Sequence, residues 1–238
     1  MPHTTNKQRV LTQLFALKGR YGADEPVNRP VLEQLVYAIC REGTTREQAD
    51  RAFRSLGEHF FDWNEIRVSS PREVEEALAN LPDADLRAQR LVSLLQEVFE
   101  TTFSFDLEAL QKKGLKQSAK QLARYQAAND YAVAWVLQQS LGGHAIPLDA
   151  PTLRVLRRLG LLENDQDDPE ALRASLEHIV PKSRGTLFGE LISALADDVC
   201  GDSEPNCSAC ALARECPTAQ EVGRGTVVAA QRSRPKPR

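Results

Sequence analysis

Apolar residues recur along the chain at intervals of three and four positions. Three such stretches are Leu32, Leu35, Val36, Ile39 and Cys40; Leu91, Leu94, Leu95, Val98 and Phe99; and Leu187, Leu191, Ile192, Leu195 and Val199. This spacing places the side chains on one face of an α-helix. We find no run that alternates apolar and polar residues as a half-buried strand does. The pattern therefore predicts an all-α fold.

One helix start is marked by its residue types. In Ser70-Pro71-Arg72-Glu73, a serine that can cap a helix is followed by a proline. Proline suits the first helical position because the N–H that it lacks has no intrahelical partner there. We therefore expect a helix to begin at Pro71.

The composition is that of a soluble helical protein. Of 238 residues, 42% are apolar and 26% are charged, which allows a sizeable core in one domain or two. No stretch approaches the ~18 continuous apolar residues of a membrane span. The N-terminal MPHTTNK also lacks the apolar core of a signal peptide. We expect a monomeric cytoplasmic protein with no membrane partner, associated with the nucleoid if the source is bacterial.

The overall charge argues against a large phosphate-binding surface. The net charge is −3, whereas proteins that bind nucleic acids usually carry a basic excess. Residues 223–238 form a basic tail with five Lys and Arg residues and no acid. We expect this tail to be flexible. It is either a loose phosphate contact or a solvated terminus.

Four cysteines lie close together near the C-terminus. Cys200, Cys207, Cys210 and Cys216 have the spacing C-x6-C-x2-C-x5-C, and only Cys40 lies outside the group. Two disulfides, a structural zinc site and a [4Fe–4S] cluster are the three interpretations. A reducing cytosol disfavours disulfides. Zinc ribbons usually have two close cysteine pairs, whereas an iron–sulfur cluster tolerates uneven spacing. Cys40, in an apolar run, is expected to be a small buried hydrophobe.

A second motif lies upstream of the cysteines. The segment 146–155 (IPLDAPTLRV) has an apolar residue, Asp149, a short spacer and Arg-Val, and an arginine-containing helix follows it. This segment and the cysteine spacing, in this order, resemble the endonuclease III family of DNA glycosylases. The resemblance is most specific over residues 120–217 and weaker over 25–120.

The resemblance implies a two-lobed helical architecture. A six-helix lobe would span residues 28–142, and a cluster lobe would combine 1–27 with 143–222. Cys200, Cys207, Cys210 and Cys216 would hold the family's [4Fe–4S] cluster, with zinc as the alternative. The basic tail, 223–238, would follow the cluster lobe.

Two positions bear on catalysis. Asp149 occupies the position of the family's catalytic carboxylate, although an Asp before a helix can also be a simple cap. Tyr131 aligns without a gap with the nucleophilic Lys of bifunctional members, and Tyr cannot form their Schiff base. Some single-function relatives, including mismatch thymine glycosylases, carry Tyr there. A purely structural aromatic that packs against its neighbours is the other interpretation of Tyr131.

The family's DNA-binding segments are altered in this chain. The hairpin that is glycine-rich in the family corresponds here to Gln126, Ala127, Ala128, Asn129 and Asp130. Asn129 can adopt a left-handed conformation, so a turn is still expected, but Asp130 places an acid where a phosphate would dock. Glu42 occupies the position of the Gln that fills the gap left by a flipped base. The loop 201–206 is acidic where the family's loop is basic.

Two functions remain open at this stage. The first is a monofunctional DNA glycosylase that uses Asp149 on a flipped base and binds double-stranded DNA weakly. The second is a non-catalytic descendant that keeps the fold and the cluster and binds DNA or a protein. Asp149 favours the first function, while the altered hairpin, the acidic loop and the net charge favour the second.

Overall fold

The protein is built from helices joined by turns and loops. The structure, a computed structural model, describes residues 6–22, 27–163 and 168–222, and no strand occurs among them. The α-helices are α1 (Asn6–Ala16), α2 (Lys18–Tyr21), α3 (Val31–Arg41), α4 (Arg46–His59), α5 (Trp63–Val68), α6 (Pro71–Ala77), α7 (Ala84–Thr102), α8 (Leu115–Leu122), α9 (Asp130–Gln139), α10 (Ala150–Arg158), α11 (Pro169–Ile179) and α12 (Gly185–Asp198). Glu108–Lys112 and Lys182–Arg184 are short 3₁₀ helices. The predicted all-α fold is confirmed, and none of the described helices is long and apolar enough to cross a bilayer.

The chain divides into two compact units, one of which is discontinuous in sequence. One unit comprises Asp24–Asp149, and the other combines Met1–Ala23 with Ala150–Arg238. These boundaries lie a few residues from those implied by the resemblance. The assignment of a six-helix lobe and a cluster lobe stays a prediction, and the basic tail lies outside the described residues.

Helix α3 forms the centre of the Asp24–Asp149 unit. All of its residues except Glu33 are buried, because α4, α7 and α9 pack around it. A helix that is buried on nearly all sides does not need the polar face that a surface helix presents to solvent. Cys40 on α3 is fully buried, as expected, and burial raises the pKa of its thiol to about 12.

Side chains that satisfy free backbone groups fix the starts of several helices. Ser70 accepts a hydrogen bond from the Glu73 N–H, the Glu73 carboxylate accepts one from the Ser70 N–H, and Pro71 takes the first helical position. This reciprocal arrangement is a capping box. The predicted start of α6 at Pro71 is confirmed. Thr45 forms a second capping box with Gln48 at the start of α4.

Helix α12 forms the core of the second unit. Its residues Phe188, Leu191, Ile192 and Leu195 are buried, and it packs against α1, α2 and α10. The helix predicted from the apolar spacing between Leu187 and Val199 is therefore confirmed, and it ends at Asp198, just before Cys200.

Candidate functional site

Asp149 is held by a backbone N–H from a distant part of the chain. Its Oδ2 accepts a hydrogen bond of 2.9 Å from the Gly43 N–H. Asp149 is half-buried and directly precedes α10. The structure thus brings the predicted catalytic carboxylate against the segment 41–44. This segment contains Glu42, another of the predicted site residues.

The segment around Gly43 is a tight turn that follows α3. Gly43 has a φ of +70°, a left-handed conformation that glycine adopts without steric cost. The Thr44 N–H donates to the Arg41 carbonyl at 3.2 Å, and the Thr44 hydroxyl donates to the Cys40 carbonyl at 2.8 Å. The end of α3 therefore fixes the direction of the Gly43 N–H.

Arg87 on α7 holds the same turn from the other side. Its guanidinium donates to the carbonyl of Ile39, to that of Glu42 at 2.7 Å and to that of Pro82 at 2.8 Å. Burial lowers the pKa of this guanidinium from its ordinary value. Nothing in the local sequence marks Arg87 as functional, because its partners lie up to 48 residues away along the chain.

Glu42 is bound to the hairpin. Its Oε2 lies 2.5 Å from Arg90 Nη1, and its Oε1 accepts from the Asn129 side-chain amide at 2.7 Å. Arg90 also donates from Nε to the Ala127 carbonyl at 2.7 Å. Glu42 thus contacts Asn129 directly and is joined to Ala127 through Arg90, a residue that sequence reasoning missed.

The hairpin forms a turn without any glycine. It connects α8 to α9, and the Ala128 N–H donates to the Tyr125 carbonyl at 3.0 Å. Ala127 and Ala128 are 9% and 7% exposed, so their side chains belong to the core. Asn129 has a φ of −69° and caps α9 by accepting from the Ala132 N–H. The left-handed conformation that its sequence allows is therefore not used.

The carboxylate of Glu97 on α7 accepts a hydrogen bond from the hairpin. The Gln126 N–H donates to Glu97 Oε2 at 2.5 Å. Hairpin N–H groups are the donors that such a motif presents to a phosphate, so Glu97 satisfies one donor internally. Asp130, the first residue of α9, adds a second acid beside the hairpin.

Tyr131 is mostly buried in the core of its unit. The residue is 5% exposed, and its ring stacks on Trp135, with ring centroids 6.1 Å apart. Trp135 in turn donates from Nε1 to Gln34 at 2.9 Å. These contacts support the packing interpretation of Tyr131, and they leave its assignment to catalysis a prediction.

The four cysteines of the C-terminal group line one cavity. No disulfide joins any two of them, and the cavity between them and α10 and α12 has a volume of about 400 Å³, part of it open to solvent. Apolar side chains such as Val155, Leu195 and Leu212 form the rest of the wall. Soft thiolates in an apolar shell are a suitable donor set for an iron–sulfur cluster or for zinc.

Two arginines of α10 bind the cysteine loop. Arg158 donates to the carbonyls of Gly201 at 2.5 Å and Asp202 at 2.6 Å, and its Nη1 lies 3.6 Å from Cys200 Sγ. Arg154 donates from Nε to the Cys200 carbonyl at 3.1 Å. These cations sit where negative charge would develop on deprotonated cysteines. The loop's acidic residue Asp202 also pairs with Arg154 at 3.7 Å.

In the described structure the four thiols line the cavity without converging on one point. Among residues 6–22, 27–163 and 168–222, no three His, Cys, Asp or Glu side chains are placed to hold one metal ion. Burial raises the pKa of Cys210 and of Cys216, and Cys216 donates its thiol proton to the Arg158 carbonyl at 3.1 Å. Cysteine binds a metal group as the thiolate, so binding at this site would release the thiol protons.

The chain resembles known DNA glycosylases in sequence. No protein-family model matches it. It is 26% identical to endonuclease III of Synechocystis sp. over 218 residues, which cover 91% of this chain and 95% of that protein. It is also 22% identical over 144 residues to a candidate DNA glycosylase of Arabidopsis thaliana, At3g47830. That match covers 60% of this chain and spans about half the length of the plant protein, 49%.

Solved structures share the fold. An endonuclease III in a non-covalent complex with DNA matches with a TM-score of 0.71 and 18% identity, over 92% of this chain and 98% of that chain. A thermostable thymine-DNA glycosylase matches with a TM-score of 0.65 and 16% identity, over 91% and 97%. The helical fold is therefore shared with these DNA glycosylases. The chain is similar to endonuclease III in sequence and in fold, which confirms the resemblance drawn from its motifs.

Proposed function

We propose that the protein is a DNA glycosylase of base excision repair that hydrolyses the N-glycosidic bond with Asp149 and lacks a Lys-dependent lyase step. The observation that carries the proposal is the Asp149 carboxylate, which the Gly43 N–H holds beside the segment that contains Glu42. The similarity to a candidate plant DNA glycosylase and to a thymine-DNA glycosylase supports the reaction class.

The chemistry requires a carboxylate close to the sugar. Cleavage of the bond to the base builds positive charge on the sugar ring. A carboxylate can stabilise this charge or activate the attacking water. Asp149 would perform this step, while Tyr131, which has no amine, supplies no Schiff-base nucleophile. The strand would then stay intact after the base has left.

The cysteine cavity would serve the fold. Cys200, Cys207, Cys210 and Cys216 would hold a [4Fe–4S] cluster, with zinc as the alternative. The bound group would link the C-terminal loop to α10 and α12 and takes no part in the hydrolysis proposed here. In either case Arg158 would continue to donate hydrogen bonds to the loop carbonyls.

Incubation of the purified protein with a panel of damaged and mismatched duplexes tests the proposal. Released bases are detected directly, and abasic sites are revealed by alkali. The proposal predicts base release from at least one duplex, with strand cleavage only after alkali. If no duplex in a broad panel loses a base, the protein is not a glycosylase.

Two contacts of acidic side chains favour a second function, a non-catalytic protein that binds DNA weakly or binds a protein instead. Glu97 occupies the Gln126 N–H, and Glu42 is paired with Arg90 and Asn129. Both contacts reduce the number of hydrogen-bond donors that the hairpin can present to a phosphate. Weak duplex binding together with an absence of base release would favour this second function.

A further inference from the structure

Gly43 lies between two features of the proposed site. Its N–H donates to Asp149 Oδ2 at 2.9 Å, and the preceding residue, Glu42, is bound to Asn129 of the hairpin at 2.7 Å. A change in this turn would therefore reach both the carboxylate and the hairpin. We infer that Gly43 is a positioning residue for Asp149, and that Arg87 sets the turn in which Gly43 stands. This inference rests on the proposed function.

The need for glycine at position 43 comes from the backbone. A Cβ added to Gly43 would meet only Arg87 Nη2, at 3.9 Å, which is an ordinary van der Waals distance. The space is therefore available, but the φ of +70° is unfavourable for most residues and worst for β-branched ones. Asn tolerates this region far better than Val does. The pair Gly43→Asn and Gly43→Val thus separates backbone direction from side-chain volume.

Arg87 determines where the turn stands. Its guanidinium binds the carbonyls of Ile39 and Glu42, which bracket the end of α3, and the Pro82 carbonyl, which precedes α7. The planar fork of an arginine can hold three acceptors in fixed directions, whereas a lysine presents one ammonium point. Arg87→Lys should therefore keep the charge and lose part of the geometry, and Arg87→Met should lose both.

The orientation of Asp149 matters because the reaction depends on a close approach. A misplacement of ~1 Å in a reacting group can cost on the order of a hundredfold in rate. The Gly43 N–H points at the carboxylate from a turn that both Arg87 and the end of α3 hold. Such a donor restricts the carboxylate to the rotamer that accepts this bond.

Kinetics of the Gly43 variants test the inference. Single-turnover base release is measured at saturating enzyme, and duplex affinity is measured separately. We expect Gly43→Val to lower the rate of release by about a hundredfold with little change in affinity, while Gly43→Asn keeps most of the rate. Equal losses in the two variants, or a loss confined to affinity, would overturn the positioning role.

The Arg87 series gives a second arm. The rate should fall in the order wild type, Arg87→Lys, Arg87→Met, with urea unfolding recorded for each. If the rate of release merely follows the loss of stability across the series, Arg87 has only a structural role.

A measurement without substrate separates this inference from the proposed function. Hydrogen exchange of the Gly43 backbone amide is followed by NMR in the wild type and in Asp149→Ala. We expect exchange to be slower in the wild type, because Asp149 Oδ2 accepts the bond from this N–H, and faster in Asp149→Ala, which has no acceptor. If substitution of Asp149 does not affect the Gly43 amide, the inference is rejected even when the enzyme is active. If substitution of Asp149 affects the Gly43 amide but the protein releases no base, only the proposed function is rejected.

Discussion

Single residues in this protein carry more than one interpretation. An Asp immediately before a helix is often a cap, and the contact of Asp149 with Gly43 is compatible with both a cap and a catalytic carboxylate. Tyr131 stands at the position of a nucleophile but packs on Trp135. Substitutions that keep one role and remove the other decide between these interpretations.

Tyr131 should act mainly through packing. Tyr131→Ala removes a buried ring and should lower the free energy of unfolding by about 3–5 kcal/mol, as measured by urea denaturation. Tyr131→Phe keeps the ring stacked on Trp135 and should retain both stability and base release. A large loss of base release in a stable Tyr131→Phe protein would instead show that the hydroxyl takes part in the reaction.

At the level of elements, α7 organises the hairpin and the turn at Gly43. Arg87, Arg90 and Glu97 lie on this one helix and reach the Gly43 turn, Glu42 and the Gln126 N–H. The sequence correctly indicates α7 through its apolar spacing. It gives no sign of these polar partners, because pairs separated by tens of residues leave no local pattern. The hairpin forms the expected turn through buried alanines and a capping Asn129, whereas the family's hairpin is glycine-rich.

Glu97 should weaken DNA binding at the hairpin. Glu97→Ala frees the Gln126 N–H and removes a negative charge, so duplex affinity should rise and its salt dependence should steepen, by up to about one phosphate contact. Glu100→Ala is the matched control, since it removes the same charge from α7 and its carboxylate contacts Gln96 rather than the hairpin. Affinities are measured by fluorescence anisotropy over a salt series. Equal gains in the two variants would mean that only overall charge matters.

At the scale of the whole molecule, the sequence predicted the class of fold and the grouping of the four cysteines. Helical spacing identified α3, α7 and α12, and residue types identified the start of α6. Two compact units and the association of Asp149 with Gly43, separated by 106 residues, depend on tertiary packing. Such packing could be anticipated only through resemblance to a family.

The cysteine group should hold metal as a unit. The purified protein should absorb broadly in the visible range and contain about four irons per chain if the group is [4Fe–4S]. Cys207→Ser should lose most of the iron and unfold at lower urea concentration, while Cys40→Ala, outside the group, should keep its iron. Colourless protein with stoichiometric zinc would replace the iron–sulfur assignment with the zinc alternative.

Base release by Asp149→Asn tests the central claim most directly. Asn can still cap a helix but cannot supply a negative charge beside the sugar. On a duplex that the wild type processes, the account predicts that Asp149→Asn releases no measurable base. Its free energy of unfolding, measured in urea, should change by less than about 1 kcal/mol. An Asp149→Asn protein that releases bases at the wild-type rate would show that Asp149 is only a cap, and would contradict the account.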